Sequence, residues 1–226
     1  MAKISKRVSM RTIRALGPGY TAEADAVDET TWGQFLQEFD DANIYQTWSY
    51  AEVICGRRRM SHLVLRQNGK VAAIAQARIT KLPLLNLGIA YVQWGPIWQH
   101  SAAELSAETF RQALRALRNE YICKRGLALR LFPVVFDDPS TCFPEILEQE
   151  GFSSLGEETR GRTILMDLSP PLEELRQGLG RNWKRNLKQA EENGLEVIEG
   201  SEAELFEAFI QIYKEMVCLL YTSRCV

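Results

Sequence analysis

The spacing of apolar residues alternates along the chain between the period of an amphipathic helix and that of a strand. Within residues 21–160, helical spacing occurs in four stretches, which run from Thr31 to Phe39, onward from Thr47, from Ser101 to Tyr121 and from Pro144 to Gln149. In the third stretch Ser101 and Glu104 have the spacing of a capping box, and Gly126 follows as a helix terminator. The sequence therefore predicts one long helix among shorter ones.

Strand-like runs separate these predicted helices. They cover His62–Gln67, Lys70–Lys81, Ile89–Trp94 and Leu127–Phe132. Asn68-Gly69 lies between the first two runs, and because both residues tolerate the positive φ of a type I′ turn, the pair predicts a β-hairpin. Alternation of strands with helices predicts an α/β fold with a mixed sheet.

A second block with the same plan begins after the polar stretch from Ser153 to Arg162, which is the best candidate for a domain boundary. It contains a predicted buried strand from Arg162, a basic helix, a strand from Leu195 and an amphipathic helix opened by Ser201. The sequence thus predicts a basic leader over residues 1–20, a first domain over residues 21–160 and the start of a second, incomplete domain over residues 161–216.

Two terminal segments are set apart from these domains. The leader is basic but lacks the apolar core of a secretory signal, so it is either a mobile tail or a contact with the inner surface of the plasma membrane. Residues 217–226, VCLLYTSRCV, break the amphipathic pattern of the last helix and look like translated sequencing-adapter sequence. They are therefore left out of the fold prediction.

The composition narrows the classes of function. Among 226 residues, Lys and Arg (27) nearly balance Asp and Glu (29), which excludes a general nucleic-acid binder and requires any anion site to be local. Cys55, Cys123 and Cys142 lack the spacing of metal ligands and only two histidines are present, so we expect no metal. Reduced thiols and the lack of a long apolar run fit a cytoplasmic protein.

One predicted helix carries a dense basic stripe. Arg181, Lys184, Arg185 and Lys188 recur at spacings that place them on one side of a helix, and Gly194 follows as its cap. The stripe favours a docking face for phosphate groups, because Lys and Arg bind phosphate oxygens. The alternative is an ordinary solvated face whose charges are balanced by neighbouring glutamates.

Two aromatic segments are candidates for a substrate groove. One runs from Tyr45 to Tyr50, and the other, from Ile89 to Trp98, contains Tyr91, Trp94 and the Gly95-Pro96 turn. Aromatic rings can flank an extended substrate, and a glycine lets a backbone approach closely. Taken singly, each aromatic group is also explained by packing in the core.

The order of these segments resembles the FemAB family, the non-ribosomal peptidyltransferases that build interpeptide bridges in bacterial peptidoglycan. Four segments carry the resemblance: Tyr45–Val53 (YQTWSYAEV), Tyr91–Trp98 (YVQWGPIW), Leu127–Pro133 (LALRLFP) and Arg162–Val197. The last is the most specific of the four. The resemblance extends from about Tyr45 to Met216, most of the chain.

The resemblance implies tandem GNAT-like acyltransferase domains that transfer an aminoacyl group from aminoacyl-tRNA, with no metal or other cofactor. The acceptor would be an amine of a cell-wall precursor, either lipid II or a nucleotide-linked muropeptide. Tyr91 and Trp94 would line the groove, Gly95 would form its turn, and the basic helix would bind phosphate. The residues nearest the reacting carbonyl would lie in later strands, so catalytic residues stay unassigned and this chain alone is expected to be inactive.

Two other interpretations stay open. An acyl-CoA-dependent N-acyltransferase keeps the fold and changes the donor, although Leu175 stands where the usual acyl-CoA-binding loop has Gln or Arg before Gly178. A non-catalytic module that binds tRNA or anionic lipid headgroups predicts salt-sensitive binding without turnover.

Overall fold

The computed structural model describes the chain in several stretches. They are residues 12–81, 87–101, 106–134, 142–155, 166–194, 196 and 198–222, with side chains described as far as Val217. The chain divides into two compact units, Met1–Thr159 and Arg160–Val226.

The first unit is built on a five-stranded mixed sheet. Its strands are β1 (Tyr20–Ala24), β2 (Met60–Gln67), β3 (Lys70–Lys81), β4 (Gly88–Gln93) and β5 (Ala128–Phe132), and they lie side by side in that order. Neighbours are antiparallel except β4 and β5, which are parallel. The predicted α/β class is confirmed.

The β2–β3 hairpin forms at the predicted turn. Asn68 and Gly69 both have positive φ, 51° and 83°, as a type I′ turn requires. Strand β1 was not predicted, because its YTAEA sequence has no apolar alternation and its three central residues are exposed.

Helices cover both faces of the sheet. They are α1 (Glu29–Leu36), α2 (Trp48–Cys55), α3 (Ala107–Leu117), which continues as a π-helical segment over Arg118–Lys124, and α4 (Phe143–Gln149). One core cluster joins the sheet to α3 through Leu63, Val92 and Leu114, and the other joins it to α1 through Trp32 and Val64.

The predicted cap of the long helix was wrong. The helix begins at Ala107, and Ser106 caps it by accepting a hydrogen bond from the amide of Thr109. Ser101 lies outside the helix and donates to the Asp40 carboxylate at 2.5 Å. The prediction rested on the spacing of Ser101 and Glu104, which does not reveal that Ser101 bonds Asp40.

Residues 12–17, assigned to the leader by the sequence, lie against α3 and α4. The Asn119 side chain bonds both the amide and the carbonyl of Arg14, at 3.0 and 2.7 Å. The Arg14 guanidinium donates to Glu150 at 2.7 Å, and Arg115 donates to the same carboxylate at 2.9 Å. Glu150 is almost fully buried, so this carboxylate ties the segment to both helices.

The second unit contains three helices among its described residues. They are α5 (Leu172–Gly178), α6 (Arg181–Glu192) and α7 (Ala203–Thr222). The predicted strand from Arg162 lies mostly outside the described residues, and Met166–Leu168 form no strand; Leu195 and Val197, at the next predicted strand, also lie outside. Helix α7 continues five residues beyond Val217, where its amphipathic pattern stops.

Gly194 follows α6 with positive φ, 63°, as the predicted cap requires. Among the described helices, none combines the length and the apolar character needed to cross a membrane.

Candidate functional site

Aromatic side chains from three separate segments meet on the α2 side of the sheet. The ring of Tyr45 lies 5.1 Å from that of Tyr50 and stacks at 5.9 Å on Trp94, which follows β4. Trp94 in turn contacts Phe132, the last residue of β5, at 5.5 Å. We call Tyr50, Tyr45, Trp94 and Phe132 the aromatic row.

A small pocket opens beside the aromatic row. It has a volume of about 30 Å³, room for a single functional group of a larger ligand. The helical side supplies Tyr45, Tyr50, Ala51, Ile54 and Cys55, and the sheet supplies Gln76, Arg78, Tyr91 and Gln93. Two of the aromatic segments singled out in the sequence therefore contribute to one pocket.

Tyr91 lies between two arginines on this face. Register pairs it with Arg78 on β3 and with Arg130 on β5. Each guanidinium carbon lies over the Tyr91 ring, at 5.4 Å from the ring centroid for Arg78 and 5.5 Å for Arg130. Neither arginine was singled out from the sequence, because only the strand register brings them to Tyr91.

Side chains of Asn43 and Gln46 hold the turn at Trp94 and Gly95. Trp94 has positive φ, 51°, and its carbonyl accepts a hydrogen bond from the Asn43 side chain at 2.8 Å. A Cβ added at Gly95 would lie 2.9 Å from Nε2 of Gln46. The close approach expected at Gly95 is thus made by the Gln46 side chain, whereas Trp94 belongs to the aromatic row.

Gln46 is fully buried and joins two strands. Its Nε2 donates to the carbonyls of Gln93, at 2.7 Å, and Gln76, at 3.3 Å, while its Oε1 accepts from the Gln76 amide at 2.7 Å. The side chain therefore fixes the edge of the pocket. Sequence reasoning missed this role, since a lone glutamine in an aromatic segment carries no signal of burial.

Trp48, in the first aromatic segment, belongs to the core instead of the pocket. Its indole stacks on His62 at 4.1 Å with only 4° between the planes. Burial lowers the pKa of His62 below its usual 6.5, although a hydrogen bond with Gln76 opposes the shift. His62 is thus a neutral packing residue at neutral pH.

The four basic residues of α6 are all exposed and fall into two pairs. Lys184 and Lys188 border a groove that α5 also lines, where Lys184 donates to the Gln177 carbonyl at 2.7 Å and Arg176 pairs with Glu191. Arg181 and Arg185 do not line this groove. The first turn of α6 has no acidic residue and no side-chain cap, so the helix dipole favours an anion there.

A further polar cluster lies on the α3 side of the sheet. The Asp25 carboxylate accepts from Ser61 Oγ at 2.9 Å, from the His62 amide at 2.8 Å and from Arg125 at 2.9 Å. Burial would raise the pKa of Asp25, but these donors outweigh it and hold the pKa below 3.8. Tyr121 also donates to Ser61, at 3.0 Å.

In the parts of the chain that the structure describes, no cluster of three or more His, Cys, Asp or Glu side chains could hold a metal ion.

Solved structures share the fold of the chain. A structure of FemX is 19% identical with a TM-score of 0.64, covering 85% of this chain and 49% of that chain. The chain therefore has the fold of FemX over most of its length and spans about half the length of that protein. No family model matches the sequence, and no curated protein matches it.

Weaker likenesses extend to two acetyltransferases. An aminoglycoside acetyltransferase from an uncultured soil metagenomic sample, solved with trehalose, is 9% identical with a TM-score of 0.41, covering 66% of this chain and 97% of that chain. A ribosomal-protein-alanine N-acetyltransferase from Brucella melitensis biovar Abortus 2308 is 14% identical with a TM-score of 0.40, covering 65% and 99%.

Proposed function

We propose that the protein is a cytoplasmic transferase that moves an aminoacyl group from aminoacyl-tRNA to an amine of a peptidoglycan or other cell-envelope precursor. One observation carries the proposal. Three of the segments that resemble the FemAB family, far apart in sequence, contribute Tyr45, Tyr91, Trp94 and Phe132 to one face beside one pocket. The shared fold with FemX supports it.

The reaction is the aminolysis of an ester. The neutral amine of the acceptor attacks the ester carbonyl, the carbon–oxygen bond to the tRNA breaks, and a proton passes from the amine to the departing oxygen, which leaves as a hydroxyl group. Positioning of the two substrates and donors for the developing oxyanion supply the rate enhancement. In this proposal Tyr91 and the aromatic row hold the acceptor, and Arg181, Lys184, Arg185 and Lys188 bind phosphate groups of the substrates.

The donor is tested directly by a transfer assay with the full-length gene product. Radiolabelled aminoacyl-tRNA and radiolabelled acetyl-CoA are offered in parallel with lipid II and with a nucleotide-linked muropeptide. Label transferred from aminoacyl-tRNA supports the proposal. Label transferred only from acetyl-CoA would instead establish an acyl-CoA-dependent N-acyltransferase, and salt-sensitive binding without transfer from either donor would establish a binding module.

The pocket is tested by Tyr91→Ala in the same assay. Loss of the ring should lower kcat/KM for the acceptor about tenfold, the equivalent of one aromatic contact. Ile89→Ala is the matched control, because Ile89 lies two residues earlier on the same strand and face but outside the pocket. Equal effects of the two substitutions would remove Tyr91 from the site.

A further inference from the structure

Arg78 and Arg130, beside Tyr91, differ from most other arginines of the first unit in their lack of a carboxylate partner within the described part of the chain. Several arginines there are held by carboxylates, namely Arg14, Arg57, Arg66, Arg111, Arg115 and Arg125. Among the described residues, Arg78 and Arg130 contact the Tyr91 ring and have no carboxylate partner. Positive charge is therefore uncompensated at this part of the sheet.

A third arginine adds to the same charge. Arg59 precedes Met60, which pairs with Arg78 across β2 and β3. Burial raises the pKa of the Cys55 thiol in the pocket, and both Arg78 and Arg59 oppose that shift by their charge. The pocket is thus walled by aromatic rings and bordered by cations.

We propose that Arg78 and Arg130, with Tyr91 between them, bind an oxyanion that carries at least two negative charges, such as a diphosphate. The two arginines stand on strands that flank β4, so their backbones lie about 10 Å apart. Two guanidinium groups without a carboxylate partner among the described residues favour a ligand with two negative charges, and a diphosphate presents one charged group to each. Both guanidinium groups lie over the Tyr91 ring, whose hydroxyl would be a further hydrogen-bonding group for the ligand.

This site deepens the proposed function, on which it rests only for the identity of the natural substrate. Its residues differ in their partners from those of the basic helix α6, where Lys188 lies 3.7 Å from Glu192 and Lys184 donates to the Gln177 carbonyl. The guanidinium forks of Arg78 and Arg130 have no such competitors among the described residues. Arginine also matches phosphate geometry through two parallel hydrogen bonds, which lysine cannot provide.

The test is calorimetric titration of the full chain with inorganic diphosphate, and with acetate as the singly charged comparison. Arg78→Gln and Arg130→Gln should each weaken diphosphate binding at least about tenfold, the usual effect of losing one charge-assisted hydrogen bond. Arg66→Gln is the matched control, since Arg66 also lies over a ring, that of Phe35, but is paired with Glu23. Circular dichroism verifies that the variants fold.

Three results would overturn the assignment. They are unchanged binding in both variants, equal loss in Arg66→Gln, and loss of binding only when Lys184 and Arg185 are replaced together. Binding measured this way is independent of turnover. If both variants lose diphosphate binding and the parent protein transfers no aminoacyl group, this site is upheld and the proposed function is refuted. If the protein transfers an aminoacyl group and both variants keep the parent KM, the proposed function is upheld and this site is refuted.

Discussion

A single buried side chain, Gln46, fixes the edge of the candidate site. Its amide bonds the backbone of β3 and β4, and Gly95 leaves the space that it fills. The Gln46 amide group supplies both the donor for the Gln76 and Gln93 carbonyls and the acceptor for the Gln76 amide. The geometry of the pocket therefore depends on a residue that does not itself line it.

Gln46→Leu should lower the free energy of unfolding by about 2–4 kcal/mol, because it leaves backbone groups of Gln76 and Gln93 buried without partners. Urea unfolding followed by fluorescence measures the change. Gln34→Leu, at an exposed position of α1, is the control and should stay within about 0.5 kcal/mol of the parent. A small effect at Gln46 would mean that water replaces its amide.

Asp25 should make the stability of the first unit depend on pH. Its pKa is lowered in the folded state by donors from His62, Arg125 and Ser61, despite partial burial. The stabilisation is therefore complete above the unfolded pKa near 3.8 and is lost as the pH falls through the lower, folded value. Asn tolerates the positive φ of 58° at this position, so Asp25→Asn isolates the charge.

The expected result is that Asp25→Asn is less stable than the parent at pH 7 and that the difference shrinks below about pH 4. Urea midpoints at several pH values measure it. Glu207→Gln serves as the control, since Glu207 is exposed on α7. If the difference in stability between Asp25→Asn and the parent grew as the pH fell, the Asp25 carboxylate would not stabilise the folded state in the way expected.

At the scale of elements, Glu150 joins a segment and two helices. Its nearly inaccessible carboxylate receives Arg14 from residues 12–17 and Arg115 from α3. The sequence assigned Arg14 to a free leader because a run of basic residues without apolar periodicity predicts solvent exposure. The buried acid that binds it lies far away in the chain and could not be paired with it from the sequence.

Glu150→Gln should destabilise the protein by about 3 kcal/mol, because the guanidinium groups of Arg14, Arg111 and Arg115 lose a buried counter-charge. Limited proteolysis should also cleave near Arg14 faster than in the parent. Glu148→Gln, at an exposed position of α4, the helix that ends just before Glu150, should change neither measurement. An unaltered cleavage rate at Arg14 would show that the other hydrogen bonds of the segment, such as those with Asn119 and Gln112, hold it without Glu150.

Local signals explain which elements could be predicted. The β2–β3 hairpin depends on Asn68-Gly69 and the end of α6 on Gly194, and one or two residues that tolerate a positive φ are enough to predict each of them. Strand β1 lacks such a signal, since it is formed by pairing with β2 and by little of its own sequence. The predicted cap at Ser101 was wrong because this serine bonds Asp40, a contact that no periodicity reveals.

At the scale of the whole molecule, the aromatic residues of the site were predictable and its arginines were not. Tyr91 and Trp94 belong to a recognisable segment, whereas Arg78 and Arg130 join them only through the register of three strands. The basic stripe on α6 is exposed, and the structure divides it into two pairs. A sequence pattern predicts which residues share one face of a helix, but it does not predict which other residues lie against that face.

The double substitution Lys184→Ala with Arg185→Ala removes one member of each pair. It should weaken binding of an anionic precursor several-fold at low salt, and the loss should fade as salt screens exposed charges. Titrations at several salt concentrations measure both effects. Lys214→Ala, on exposed α7, is the control; the same affinity and salt slope in the double variant and the parent would identify the stripe as an ordinary solvated face.

The order of the strands has a consequence for how the protein folds. Strands β2, β3 and β4 follow one another directly, whereas β5 pairs in parallel with β4 only after the chain has passed through α3. Local hairpins close faster than distant parallel pairs, so β5 is expected to dock after the hairpin strands. Arg130 therefore reaches Tyr91 late, and a ligand held by both arginines of the pair selects the completely folded chain.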